Sequence, residues 1–191
     1  MSPSIGGDEI FVHDFQTGDT NLPQDAFVRD RVPGSPFCFG DGTNAACPCA
    51  NVGGAGRGCQ NSATTGGAIL TATGNAMLSA DTMQLSASYE LPSAPSIVLQ
   101  RSSIVGLGNL GDRLHCAGGT LWRLHVKSAN GGVITAPEAG NLAISTRVAG
   151  FGHPIPLGAT RIYQVYYRDP SLAFCPGAFS ATNALAVAWG A

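Results

Sequence analysis

The sequence predicts an all-β fold: a β-sandwich, jelly-roll-like, with a disulfide-stapled loop region on its N-terminal side and a strand arm ahead of that. Three observations predict it. Beyond residue 67, apolar and polar residues alternate with a period of two, as half-buried strands require. Glycine and proline, 26 and 12 residues of 191, cut this alternation into short runs at sandwich spacing. The cysteines number six, an even set, and four lie between Cys38 and Cys59 in a glycine-rich stretch too weakly apolar to bury a core of its own.

The totals narrow the function classes. A chain of 191 residues is long enough for one domain with a true core. Charged residues are 12%, about half the usual share, and the net charge is -2, so the balance carries no nucleic-acid footprint. No apolar run approaches the roughly 20 residues of a membrane-spanning helix. An even cysteine set implies disulfides and an oxidising, extracellular setting. Against this, Met1-Ser2-Pro3-Ser4-Ile5-Gly6-Gly7 has neither the basic nor the apolar region of a signal peptide. The expectation is that Met1 opens a trimmed chain or that export uses another route.

Residues 1–34 read as a separate arm with two short strands. Phe11-Val12-His13-Asp14 is echoed sixteen residues on by Phe27-Val28-Arg29-Asp30, with turn-forming Thr17 to Pro23 between them. Two isolated strands are marginal in water, and an unpaired edge is a template for another chain. The arm therefore docks on its own domain or adds a strand to a neighbour, through Ile10, Phe11, Val12, Phe27 and Val28.

Residues 35–191 are the stapled sandwich. Cys47 and Cys49 are too close in sequence to bond each other, so they pair with Cys38 and Cys59 in either order. Cys116 and Cys175 remain as a third pair. A zinc site is the alternative, but Cys-Pro-Cys fits zinc spacing poorly. Strands follow at 68–72, 83–87, 97–100 and 122–127. Others follow at 142–148, where Leu142, Ile144, Thr146 and Val148 alternate, at 161–168, and around Leu185, Val187 and Trp189. Residues 106–111 read as a loop and Asn130-Gly131-Gly132 as a hairpin turn.

Candidate chemistry is sparse. His13, His115, His125 and His153 have no zinc-pair spacing and belong to no recognisable nucleophile motif. His115 beside Cys116 is a metal-ligand candidate, with a plain strand-end histidine as the competing reading. Arg123, His125 and Lys127 alternate on one strand and form the candidate face for an anionic ligand. Trp122, Tyr163, Tyr166 and Tyr167 would make a sugar-stacking platform if exposed and core if not. Asp8, Glu9, Asp14, Asp19, Asp25 and Asp30 crowd the arm and are weighed as calcium ligands, without an EF-hand spacing. Asp41 in Gly40-Asp41-Gly42 reads as a turn residue. No catalytic residue, metal or cofactor is assigned.

Two resemblances bear on this. Asp8 to Gly18, then Gly18-Asp19-Thr20-Asn21 leading to Asp25-Ala26-Phe27-Val28-Arg29-Asp30-Arg31, resemble the repeat of secreted bacterial β-propellers of the TolB type. A blade needs roughly 40–45 residues, so this would be a remnant. Residues 36–189 resemble the uncharacterised C-terminal modules of secreted planctomycete and myxobacterial proteins. The matching residues are Phe37-Cys38-Phe39-Gly40-Asp41-Gly42, Cys47-Pro48-Cys49, Gly56-Arg57-Gly58-Cys59-Gln60-Asn61-Ser62, Gly67-Ala68, Leu114-His115-Cys116-Ala117-Gly118-Gly119, Tyr163 to Asp169, and Thr182-Asn183-Ala184-Leu185. The resemblance implies an exported, disulfide-stapled β-domain and no reaction. The expected function is a non-catalytic extracellular or cell-surface structural subunit that assembles with its copies, as an oligomer or filament. The alternative is a secreted module that binds polysaccharide or another surface.

Overall fold

A computed structural model describes residues 33–110, 113–171 and 174–191. The arm residues Ile10, Phe11, Val12, Phe27 and Val28, and the acidic cluster with them, lie outside the described residues.

The elements in chain order are β1 (Ser35–Phe37), β2 (Ile69–Thr73), β3 (Gln84–Ser88), β4 (Pro95–Leu110), β5 (Arg113–Ser128), β6 (Ile134–Ala136), α1 (Ile144–Gly150), β7 (Thr160–Arg168) and β8 (Phe179–Ala188). They form two antiparallel sheets, a five-stranded one in the order β1-β8-β7-β4-β5 and a three-stranded one in the order β2-β3-β6. The all-β expectation holds.

Alternation explains the core between the sheets. Leu70 and Ala72 of β2, Leu85 and Ala87 of β3, and Ile134 and Ala136 of β6 point one way. They meet Val98, Tyr163, Val165, Leu185 and Val187 of the larger sheet. Trp189 closes the same cluster. Its indole N–H donates to the Tyr163 hydroxyl at 3.0 Å, which donates to Oε1 of the fully buried Gln100 at 2.9 Å. Burial pushes the Tyr163 hydroxyl far above its ordinary pKa. Asn183 ties the sheets at their margin. Its side chain accepts from the Leu70 N–H at 2.7 Å and donates to the Leu70 carbonyl at 3.2 Å, standing in for a strand neighbour.

Three sequence expectations are corrected. The segment around Ile144 and Val148 is a helix and not a strand. Ile144 and Val148 are four apart, so burying those two satisfies a helical face, while Leu142 and Thr146 stay exposed. The Asp81 carboxylate accepts the Ser145 N–H at 2.7 Å in the first turn. Residues 106–110, expected as loop, continue β4, which pairs with β5 up to Leu110 and Arg113. The third correction is the disulfide pairing: Cys38–Cys116, Cys47–Cys59 and Cys49–Cys175. Cys116 and Cys175 are not partners, and Cys38 and Cys49 both reach beyond the cysteine stretch.

The β4–β5 hairpin explains this pairing. β7 pairs with β4 only between Ser96 and Arg101. The register slips beyond that point, between Arg101 and Ser103 and again between Ile104 and Gly108. Such irregularities bend a strand. The far half of the hairpin lies over the second face of the large sheet. There Arg113 stacks on the Tyr166 ring at 3.9 Å, and His115 Nδ1 meets the Tyr166 hydroxyl at 3.1 Å. Leu114, Cys116 and Ala117 join Ile162 and Ala184 in a second cluster with Cys38, Cys47 and Cys59.

Candidate functional site

The cysteine stretch covers the second face by backbone contact more than by side-chain packing. Gly40 N–H donates to the Arg57 carbonyl at 2.8 Å, Gly53 to Gly40 at 2.8 Å, Gly54 to Gly66 at 2.7 Å and Gly58 to Ala68 at 2.9 Å. At Gly58 the stretch lies so close to β8 that a Cβ would overlap the Ala181 carbonyl. Glycine is required there by proximity. Asp41 is the turn residue expected of it. Its carboxylate accepts from the Thr43 hydroxyl and N–H and from the Gly56 N–H at 2.8 Å, and these bonds hold it below the usual carboxylate range.

The structure separates Arg123, His125 and Lys127. Leu99 pairs with Arg123 and Val98 with His125, so Leu124 is an extra residue, a β-bulge. Across the bulge the alternation changes face. Trp122, Leu124 and His125 are all buried, Arg123 is exposed, and Val126 is 70% exposed. The bulged Leu124 carbonyl accepts from Arg147 Nε. Burial first, then the charges of Arg147 and Lys127, push the His125 imidazole down to about 4, so it stays neutral. Lys127 pairs with Glu138 at 2.6 Å and donates to Asn141 Oδ1 at 3.0 Å. No single face carries all three.

The aromatic set is core. Trp122, Tyr163 and Tyr167 are buried, and Tyr166 is half-buried beneath Arg113. Burial lifts the Tyr167 hydroxyl to about 12. His153 lies against Trp122, with ring centroids 5.4 Å apart. Among the described residues, no His, Cys, Asp and Glu side chains gather as a metal site. The His115 imidazole is lowered by burial and by Arg101 and Arg113.

A cleft of about 460 Å³ opens where β3 hands over to β4, with Thr65, Tyr89, Glu90, Pro92 and Val133 in its wall. Tyr89 has φ +65°, costly for a residue with a side chain. Its carbonyl is held there by the Thr65 hydroxyl at 2.6 Å and by Asn61 Nδ2 at 2.9 Å, and Arg57 stacks on its ring at 3.7 Å. Glu90 is 1% exposed. Oε2 accepts from the Ser96 hydroxyl, and Oε1 has no partner among the described residues. Burial, offset in part by Ser96, lifts this carboxyl to about 7. Sequence reading missed both residues. Its one signal was an acid placed between two strands and just ahead of Leu91-Pro92, where a solvated turn is the commoner outcome.

The remaining feature is the rim of the large sheet. β5 is a 16-residue edge strand, paired with β4 alone. β1, where the chain enters the sheet, is the opposite edge. No helix among the described residues is long and apolar enough to cross a membrane. The chain matches no family model, no curated protein and no solved structure.

Proposed function

We propose that the chain is a non-catalytic structural subunit of the extracellular space or cell surface, which assembles with its own copies through the N-terminal arm. One observation carries the reading: β5 and β1 are the two edge strands of the larger sheet, and the described chain enters that sheet at β1. A contact from one edge of one copy to the other edge of the next is head-to-tail. Such contacts form rings if they close and filaments if they do not. The three disulfides fit an oxidising location. Light scattering on the full chain and on a chain lacking residues 1–30 tests the reading. Concentration-dependent assembly of the first and a folded monomer from the second are expected. Equal assembly of both would remove the arm as connector.

The alternative, a polysaccharide-binding module, no longer has Trp122, Tyr163 and Tyr167 as its platform, since their rings are buried. What favours it is the cleft beside Tyr89, whose residue is about half exposed. Retention on insoluble polysaccharides, abolished by Tyr89→Ala, would support it. No retention on any of them would end it.

A further inference from the structure

We infer that the second face of the large sheet carries a binding strip for the sulfate or carboxylate groups of an acidic polysaccharide, built by Arg101, Arg113, His115, Tyr166, Arg168 and Phe179. The strip shares no residue with the Tyr89 cleft, and it does not depend on the assembly reading.

The first observation is placement. In β7 the side chains of Ile162, Tyr166 and Arg168 point to one face, because they lie an even number of residues apart. Register sets Arg101 of β4 opposite Ile162 and Phe179 of β8 opposite Arg168, and cross-strand neighbours share a face. The far half of the β4–β5 hairpin adds Arg113 and His115 above them. The contacts are continuous. Arg168 lies over the Phe179 ring at 5.0 Å, and Arg113 Nη1 donates to the Phe179 carbonyl at 3.3 Å. Arg113 stacks on the Tyr166 ring, whose hydroxyl meets His115. From Ile162 to Arg168 the strand covers roughly 20 Å.

The second observation is that this positive charge has no acidic partner among the described residues. The Lys127–Glu138 contact is the sole ion pair there. The other carboxylates work elsewhere: Asp41 serves Thr43 and Gly56, Asp81 serves Met83 and Ser145, and Glu90 serves Ser96. Asp169, next to Arg168 in sequence, is 3% exposed and accepts from Ser62. The His115 imidazole is held down by burial first and then by the charges of Arg101 and Arg113, so it sits in a positive field. Arg113 is 8% exposed, yet its Nε has no partner. The one carbonyl bond leaves most of its guanidinium donors for an oxyanion.

The third observation decides the class of ligand. Guanidinium forks match sulfate and carboxylate oxygens. Cations spread along a strand suit a chain of anionic units better than a lone ion. Each ring already has an arginine on its face, which leaves bases little to stack on, and the net charge of -2 carries no nucleic-acid footprint. The disulfides fit an oxidising location, where the available polyanions include acidic polysaccharides.

The test uses the full chain and dextran sulfate, with neutral dextran as the blank. Calorimetry is expected to show saturable binding to dextran sulfate that weakens as salt is added, and none to dextran. Arg101→Gln with Arg168→Gln should weaken binding roughly tenfold or more, since two charge-assisted bonds are lost. Arg101→Lys with Arg168→Lys should recover part of it, because charge returns without the fork. Lys127→Gln removes a positive charge elsewhere and should leave binding unchanged. Should the arginine variants misfold, the wild-type chain still reads the site. A bound polyanion favours the protonated imidazole, so the His115 titration followed by NMR should move to higher pH when dextran sulfate is present. No binding to dextran sulfate overturns the strip, and so does binding that survives loss of both arginines or leaves His115 unmoved. Equal binding of single-stranded DNA through the same arginines would mean that the strip reads charge alone, and would remove polysaccharide as its class. A chain that binds dextran sulfate but stays monomeric loses the assembly reading and keeps the strip.

Discussion

The two faces of the large sheet are buried by different means. On one, Tyr163, Val165, Leu185 and Val187 interlock with Leu70, Leu85 and Ile134 of a second sheet. On the other, Ile162 and Ala184 lie under cysteines, alanines and bare glycine backbone. Hydrocarbon burial contributes about 25 cal/mol per Å² and is the main hold on the first layer. Glycine contributes little apolar area and loses the most freedom on ordering, so the second layer depends on covalent bonds. The lesson is that one sheet can be finished by pattern on one side and by cross-links on the other.

Removing cross-links should expose that difference most. Cys49→Ser with Cys175→Ser opens a bridge spanning 126 residues, worth about 4–5 kcal/mol in the chain-entropy picture. Cys47→Ser with Cys59→Ser opens one spanning 12, worth about 3 kcal/mol. Urea unfolding should rank them in that order. Hydrogen exchange should show residues 38–66 losing protection before β7 and β8 do. Simultaneous loss in both regions would mean that the two faces are not independent.

The hydrocarbon face is tested by Leu85→Ala, expected to cost about 2–5 kcal/mol in urea unfolding, with all three disulfides still formed. Loss of a disulfide in that variant would tie the faces more closely than proposed.

Glu90 gives a pH signature. Its folded pKa, about 7, lies above the ordinary value near 4.5, so the folded state holds its proton more tightly than the unfolded state. Its contribution is complete below about pH 4.5, declines as pH rises towards 7, and is then lost, by roughly 3 kcal/mol in all. Thermal unfolding of Glu90→Gln should lack this decline. Identical slopes in both proteins would place the Glu90 carboxyl in water.

Tyr163→Phe is the smallest change. It strips Gln100 Oε1 and the Trp189 N–H of their partner and should cost about 1–3 kcal/mol by urea unfolding, with no effect on disulfide formation.

These two faces also differ in how far they could be read from sequence. Met83, Leu85 and Ala87, and later Leu185, Val187 and Trp189, alternate as written and are buried as expected. Asn130 to Val133 forms the expected turn. Period two misled at Ile144 and Val148, because positions four apart satisfy a strand and a helix alike. It misled again at His125, because one inserted residue reverses the alternation and nothing in Trp122 to Lys127 marks Leu124 as the extra one. The cysteine face was legible as a need for cross-links but not as a set of pairs. Pairing follows from the hairpin that lays Cys116 over the second face, and the slips that bend it have no local signal. The buried Glu90 was hidden for a similar reason, since its burial is made by distant segments.

The most direct measurement is peptide mapping of the native, unreduced protein by mass spectrometry. Covalent closure of the second face predicts Cys38 joined to Cys116, Cys47 to Cys59 and Cys49 to Cys175. Free thiols, a thiolate-bound zinc ion, or a Cys116–Cys175 peptide would contradict it.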